Sequence, residues 1–156
     1  MIRKIVSEDR EIFIKLTKDF YNTDAVLSKI PEENIELTFE KIIGDSPYVD
    51  GYLYLHKDQV AGYCLLSFTY SNESGGLVML IEELYVSPNF QRRGIGSKFL
   101  NFLENEYRDK VALMRLEVVK TNQTARQLYY KKGFKDLKYL QMIKEIDNSD
   151  EKNATK

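Results

Sequence analysis

Residues Val86–Leu100 read VSPNFQRRGIGSKFL. Just before them, Leu77–Val86 (LVMLIEELYV) is apolar except for two glutamates and one tyrosine, the composition of a strand covered on both faces. Pro88 and Asn89 turn the chain. Gly94 and Gly96 then stand where a helix begins, with Ile95, Phe99, Phe102, Leu103 and Tyr107 spaced to face inward. The first turn of a helix exposes unpaired N–H groups and carries roughly half a positive charge, so this arrangement cradles anions. Arg92 and Arg93 add guanidinium groups able to grip a phosphate through two nitrogens. Glycines at 94 and 96 leave the backbone open to close approach by a ligand. Two familiar phosphate loops do not fit. A dinucleotide fingerprint needs a third glycine where Phe99 stands, and a P-loop needs Gly-Lys-Ser/Thr where the chain has Gly96-Ser97-Lys98.

Upstream, Ile2–Val6 reads as a short strand, and Ser7 as the N-cap of a helix with Ile12, Phe13, Leu16 and Phe20 on one face. Pro31 opens a second helix with Ile35, Phe39, Ile42 and Ile43 at helical spacing, stopped by Gly44. Tyr52–Lys57 and Val60–Tyr70 flank the polar KDQ and predict a hairpin. Downstream, Ala112–Val119 predicts a strand and NQTARQLYYKKG a helix stopped by Gly133. Phe134–Ile146 (FKDLKYLQMIKEI) predicts two strands folded back on each other. The order β-α-α-β-β-β-α-β-α-β-β implies an α/β fold: a mixed, mostly antiparallel central sheet of about seven strands, flanked by helices on both faces.

The 156 residues are enough for one domain with a sizeable core, expected to span residues 1–146, with 147–156 as a frayed tail lacking apolar periodicity. Lys and Arg number 23 against 24 Asp and Glu, a balance that argues against nucleic acid as a partner. Apolar runs fall short of the ~18 residues a membrane span needs, and the polar N-terminus lacks a signal pattern, so the expected location is cytoplasmic, away from membranes. One cysteine and one histidine cannot build a disulfide or a zinc site, and no metal is expected.

Gln91-Arg92-Arg93-Gly94-Ile95-Gly96 fits the pattern Gln/Arg-x-x-Gly-x-Gly/Ala directly after a strand. This resembles the signature with which the GNAT superfamily of N-acetyltransferases binds the pyrophosphate of acetyl-coenzyme A. A second stretch, NQTARQLYYKKGF, is similar to the family's later pattern at Asn122, Ala125, Leu128, Tyr129, Lys131, Gly133 and Phe134. The order of elements agrees with the acyl-CoA N-acyltransferase fold over nearly the whole chain. The first helical region, Ser7–Gly44, is where the resemblance says least. A packing role for the glycines is the alternative reading.

The resemblance implies acetyl transfer from acetyl-CoA, a co-substrate, to a primary amine by direct attack in a ternary complex. An alkylamine has a pKa near 10, so the reaction needs a base to take its proton and an acid to protonate the leaving thiolate. Strand alternation sets Glu82 and Glu83 on opposite faces, and each buried carboxylate needs a partner. A cross-strand ion pair with Arg115 would be structural; a raised pKa in an apolar surround would make a general base. Similar proteins carry an acid at the place of Glu82, which is the expected base, with Glu83 the alternative. Tyr129 holds the place of the family's general acid, although helix packing would also explain it; Tyr130 lies about 100° further round and is the weaker candidate. The resemblance assigns the backbone of Leu84, Tyr85 and Val86 to pantetheine and the carbonyl oxygen, and Gln91, Arg92, Arg93, Gly94, Ile95, Gly96 and Ser97 to the pyrophosphate. Asn122 contacts the coenzyme arm or caps its helix, and Lys131 reaches phosphate or is simply solvated.

Cys64, inside an apolar strand, reads as a core thiol. His56 shares a strand face with Tyr52 and Tyr54, as a strand end or a pocket wall. Tyr21, Asp24, Glu32, Glu33, Glu36, Tyr48 and Asp50 populate the acceptor region and suit a cationic small-molecule amine, unless the glutamates only decorate a helix start. A protein or peptide acetyltransferase and a non-catalytic acyl-CoA-binding module stay open beside the small-molecule enzyme. Exposed sheet edges leave room for a homodimer.

Overall fold

The computed structural model describes residues 1–146. Five strands form one sheet in the order β1-β2-β3-β4-β5: Ile2–Lys4, Val49–His56, Gln59–Ser71, Gly76–Val86 and Leu113–Leu116. The first four run antiparallel to their neighbours and β5 lies parallel to β4. Helices α1 (Arg10–Tyr21) and α2 (Glu32–Ile43) join β1 to β2, α3 (Ile95–Tyr107) crosses from β4 to β5, and α4 (Gln123–Lys131) follows β5.

The mixed, mostly antiparallel sheet with helices on both faces is as expected; among the described residues the strand count is five rather than about seven. Residues 134–146 pair with no strand and take no regular structure. The expected strand Ala112–Val119 is also shorter, because its ladder with β4 stops at Ile81↔Leu116. Ser7 is not the N-cap of α1. Ser7–Asp9 form a 3₁₀ turn, and the buried Asp9 carboxylate takes hydrogen bonds from Val6 N at 2.9 Å and from Arg3 at 2.6 and 2.8 Å. Pro31 and Gly44 bound α2 as expected. Lys57 and Asp58, at φ 48° and 63°, make the tight β2–β3 turn without a glycine.

Strand alternation divides the core in two. Leu53, Tyr63, Leu65 and Tyr85 meet Phe13 and Leu16 of α1 and Ile35, Phe39 and Ile42 of α2. On the other face, Tyr52, Tyr54, Cys64, Leu66, Met79 and Ile81 meet Ile95, Phe99, Leu100, Leu103 and Tyr107 of α3. Each such side chain contributes roughly 1.5–3 kcal/mol on burial, which fixes the sheet between its helices. Leu100 joins this buried stripe, while Phe102 is only half-buried.

Candidate active site

The site is organised by an irregularity in β4. Leu66 pairs with Ile81 and Leu65 with Glu83, so Glu82 is an extra residue with no partner on β3, a β-bulge. A bulge reverses which side chains face which way. Met79 and Ile81 pack toward α3 before it; after it, Glu83 and Tyr85 turn toward α1, while Leu84 and Val86 turn toward α3. The two glutamates therefore do not point to opposite faces, as simple alternation requires. Both reach partners on the α1 side of the sheet.

Glu82 is exposed and accepts a hydrogen bond from Ser67 Oγ at 2.5 Å. Glu83 is buried, and its carboxylate accepts from Tyr21 OH at 2.7 Å and Tyr63 OH at 2.5 Å. Burial pushes the Glu83 carboxyl above its ordinary range; the two phenol donors pull against that and the charge of Glu82 adds to it. Burial and then the neighbouring Glu83 push both tyrosines up, so they remain donors. Among the described residues no ion pair joins either glutamate to Arg115. Tyr63 and Ser67 were invisible as site residues in the sequence: they lie 20 and 15 positions from the carboxylates they serve, with no motif around them.

The bulge also marks where β4 and β5 part. Their ladder ends at Ile81↔Leu116, so Leu84, Tyr85 and Val86 stay paired with β3 while their other edge has no strand beside it. Tyr129 of α4 packs into the α3-side core near this opening, half-buried and edge-on to Phe134 at 5.8 Å between ring centroids. Burial, then proximity to Cys64, pushes its hydroxyl up to about 12. Asn122 is the N-cap of α4, its Oδ1 accepting from Ala125 N at 3.1 Å. Tyr130 points elsewhere, bonded to Arg126 and Asp136, and Lys131 is exposed in the last turn. Cys64 is fully buried in the core, and burial pushes its thiol up.

From the open edge the chain runs through a 3₁₀ turn, Pro88–Phe90, to α3. Gln91 Nε2 donates to Val86 O at 3.0 Å and ties the turn to the strand. Arg92 (φ 59°) and Gly94 (φ 73°) both take left-handed conformations that swing the backbone into the helix start. The first intrahelical bond is Lys98 N to Gly94 O at 3.0 Å, which leaves the N–H groups of Ile95, Gly96 and Ser97 ahead of it as anion donors. Gly94 is needed for its φ. Gly96 is needed for packing, since a Cβ there would stand 3.0 Å from Leu128 of α4. Arg92 and Arg93 are exposed and in no ion pair among the described residues; Arg93 lies over the Phe90 ring at 5.7 Å. His56 also stacks on Phe90, and with Lys57 and Arg93 it lines a cleft of about 380 Å³ beside the turn.

Of the acidic and aromatic groups expected around an acceptor, only Tyr21 reaches the bulge carboxylates. Glu32 and Glu36 pair with Lys18 and Arg10, and Glu33, Asp24 and Tyr48 are exposed. Asp50 is level with the bulge, paired with Leu66, but on the α3 face of the sheet, bonded to Lys4 at 2.9 Å and Tyr107 at 2.8 Å, beside a separate cleft of about 590 Å³.

The sequence profile of the acetyltransferase (GNAT) family matches residues 11–134, which include the bulge, the turn and α4. The chain belongs to the GNAT acetyltransferase family. Among curated proteins, thialysine N-epsilon-acetyltransferase of Bos taurus is 38% identical over 79 residues, 50% of this chain and 46% of that protein. The Sus scrofa protein of the same name is 37% identical over the same share. The match thus spans about half the length of these GNAT relatives. Solved structures share the fold. A possible acetyltransferase from Clostridium difficile 630 superposes with a TM-score of 0.81 at 19% identity, over 94% of this chain and 97% of its own. AAC(6')-Iy in complex with a bisubstrate analog, CoA-S-monomethyl-acetylneamine, gives 0.77 at 15% identity, over 94% and 98%. Among the described residues, no helix is long and apolar enough to cross a membrane.

Proposed function

We propose that this chain is an acetyl-CoA-dependent N-acetyltransferase acting on a primary amine of a small molecule. The observation that carries the proposal is the open β4 edge at Leu84–Val86, with an exposed carboxylate at the bulge, a protonated phenol near the opening and a cationic helix start at its end. These parts fit a thioester carried on a long, hydrogen-bonding, pyrophosphate-bearing arm. Backbone N–H and C=O groups of Leu84 and Val86 hold the pantetheine, as an added strand would, while those of Tyr85 face Tyr63 of β3. The N–H groups of Ile95, Gly96 and Ser97, with Gln91–Gly94 and the guanidinium groups of Arg92 and Arg93, hold the pyrophosphate.

Glu82 takes the ammonium proton, directly or through one water, so that the neutral amine nitrogen attacks the thioester carbonyl carbon. A new C–N bond forms, the C–S bond breaks, and Tyr129 gives its proton to the departing sulfur. The products are the amide and free coenzyme A. Glu83, buried between Tyr21 and Tyr63, holds the shape of the pocket wall beside Glu82. Asn122 serves α4 as its cap and thereby positions Tyr129. A small amine is favoured by the substrates printed in the names of a relative and of a structural neighbour, thialysine and an aminoglycoside.

Thermal unfolding tests the donor first. Acetyl-CoA at about 100 times its dissociation constant adds ~2.7 kcal/mol, a rise of several degrees for a chain of this size, while NAD and ATP add nothing comparable. No rise in folded protein freed of co-purified coenzyme rejects the assignment. Release of free thiol with a panel of small amines, against peptides, then separates small-molecule from protein acceptors.

A further inference from the structure

Glu82 is a long, exposed side chain on the β4 residue that the bulge leaves without a partner on β3. The ladder does not fix it, and a free glutamate spreads over many rotamers. Its carboxylate is nevertheless held. Ser67 Oγ donates to Oε1 at 2.5 Å, as short as hydroxyl bonds to a carboxylate become. Among the described residues Oε1 has no other donor, Oε2 has none, and no cation pairs with either oxygen.

The donor is stiff where the acceptor is not. Ser67 is half-buried inside the sheet, with Val49 of β2 on one side and Leu80 of β4 on the other. Two ladders therefore fix its backbone, and its oxygen turns about a single side-chain torsion. Alternation sets Ser67 in one row with Tyr63 and Leu65 on the α1 side of the sheet. Leu65 stands opposite Glu83, and the hydroxyls to either side of it serve one bulge glutamate each: Tyr63 holds Glu83, and Ser67 holds Glu82. The next hydroxyl along the row, Thr69, is exposed and bonds to neither.

We propose that Ser67 is the positioning residue of acetyl transfer: it anchors Oε1 of Glu82 and thereby presents Oε2 to the amine. This role rests on Glu82 as the base. The ammonium N–H bond breaks and an O–H bond forms on Oε2, while Ser67 keeps its own proton throughout. Proton transfer needs the acceptor oxygen in one place, and a misplacement of roughly 1 Å slows a step by about 10²-fold.

Thiol release from acetyl-CoA is measured with butylamine and with the fastest primary amine of the panel. Ser67→Ala is expected to lower kcat about 10-fold to about 10²-fold, with the acetyl-CoA-induced rise in Tm and the KM for acetyl-CoA retained. Ser67→Thr keeps the hydroxyl and most of the rate, and Thr69→Ala keeps all of it. In a Glu82→Gln background, loss of the Ser67 hydroxyl lowers kcat no further, because no base is left to position. A crystal structure of Ser67→Ala shows Glu82 in more than one conformer, where the wild type shows one. An undiminished kcat in Ser67→Ala, an equal fall in both backgrounds, or a Glu82 side chain unmoved by loss of the hydroxyl overturns the role of Ser67 and leaves Glu82 as the base. Undiminished turnover in Glu82→Gln, or a wild type that releases no thiol with any amine, overturns the base and Ser67 together.

Discussion

Glu82 and Glu83 are neighbours in sequence with the same side chain, and the bulge gives them different chemistry. Glu82 is open to an incoming ammonium, whereas Glu83 is enclosed by two phenols. Glu82→Gln keeps the shape and an acceptor for Ser67 but removes the proposed base. Turnover is expected to fall ~10²–10⁴-fold in steady-state kinetics at saturating amine, with the acetyl-CoA-induced rise in Tm retained. Raising the pH restores part of the rate, since more of the amine is then neutral without help. Unchanged turnover would move the base elsewhere. Glu83 shows itself in stability rather than in rate. Its folded pKa lies above the unfolded value near 4.3, so over that window the folded state binds more protons and stability falls as pH rises. Asp9, held low chiefly by its bond to Arg3, acts oppositely: its contribution is present above the unfolded pKa and lost as pH falls through the folded one. Glu83→Gln is therefore expected to flatten the decline of Tm as pH rises above the unfolded carboxyl value, while the loss on acidification remains. Equal slopes in variant and wild type would mean that Glu83 is ionised in the folded protein across the range.

At the scale of elements, the decisive feature is where β4 stops pairing with β5. Residues beyond Ile81 keep only one neighbour, so backbone groups of Leu84–Val86 that face the opening exchange with solvent. Hydrogen exchange of this segment is expected to slow on addition of acetyl-CoA, together with that of Ile95–Ser97 at the start of α3, while the β2–β3 hairpin is unaffected. Protection confined to the helix start would leave the pyrophosphate assignment standing and remove the pantetheine one. The length of LVMLIEELYV was readable because an apolar run bounded by turn residues has no other good structure. Its bulge was not, because one unpaired residue leaves no mark on composition. The last two strands failed for a related reason: the apolar residues of FKDLKYLQMIKEI say that the segment can pair, not which edge accepts it.

For the whole molecule, the local patterns determined a great deal. Helical spacing, Pro31, Gly44 and the glycines after Arg93 located α2 and α3, and the two motifs around Gly94 and Tyr129 pointed to the family. These signals survive in one dimension because they report periodicity and turn chemistry within a few residues. Only the tertiary structure decided that both glutamates serve one face, that Tyr21, Tyr63 and Ser67 are their partners, that Gly96 is small for Leu128, and that residues 137–146 are left uncovered. The glutamate contacts join residues 15 to 62 positions apart and the Gly96 contact joins two helices, while cover for the last segment depends on what packs against it. Such contacts are set by strand register and layer packing, to which no single stretch of sequence has access.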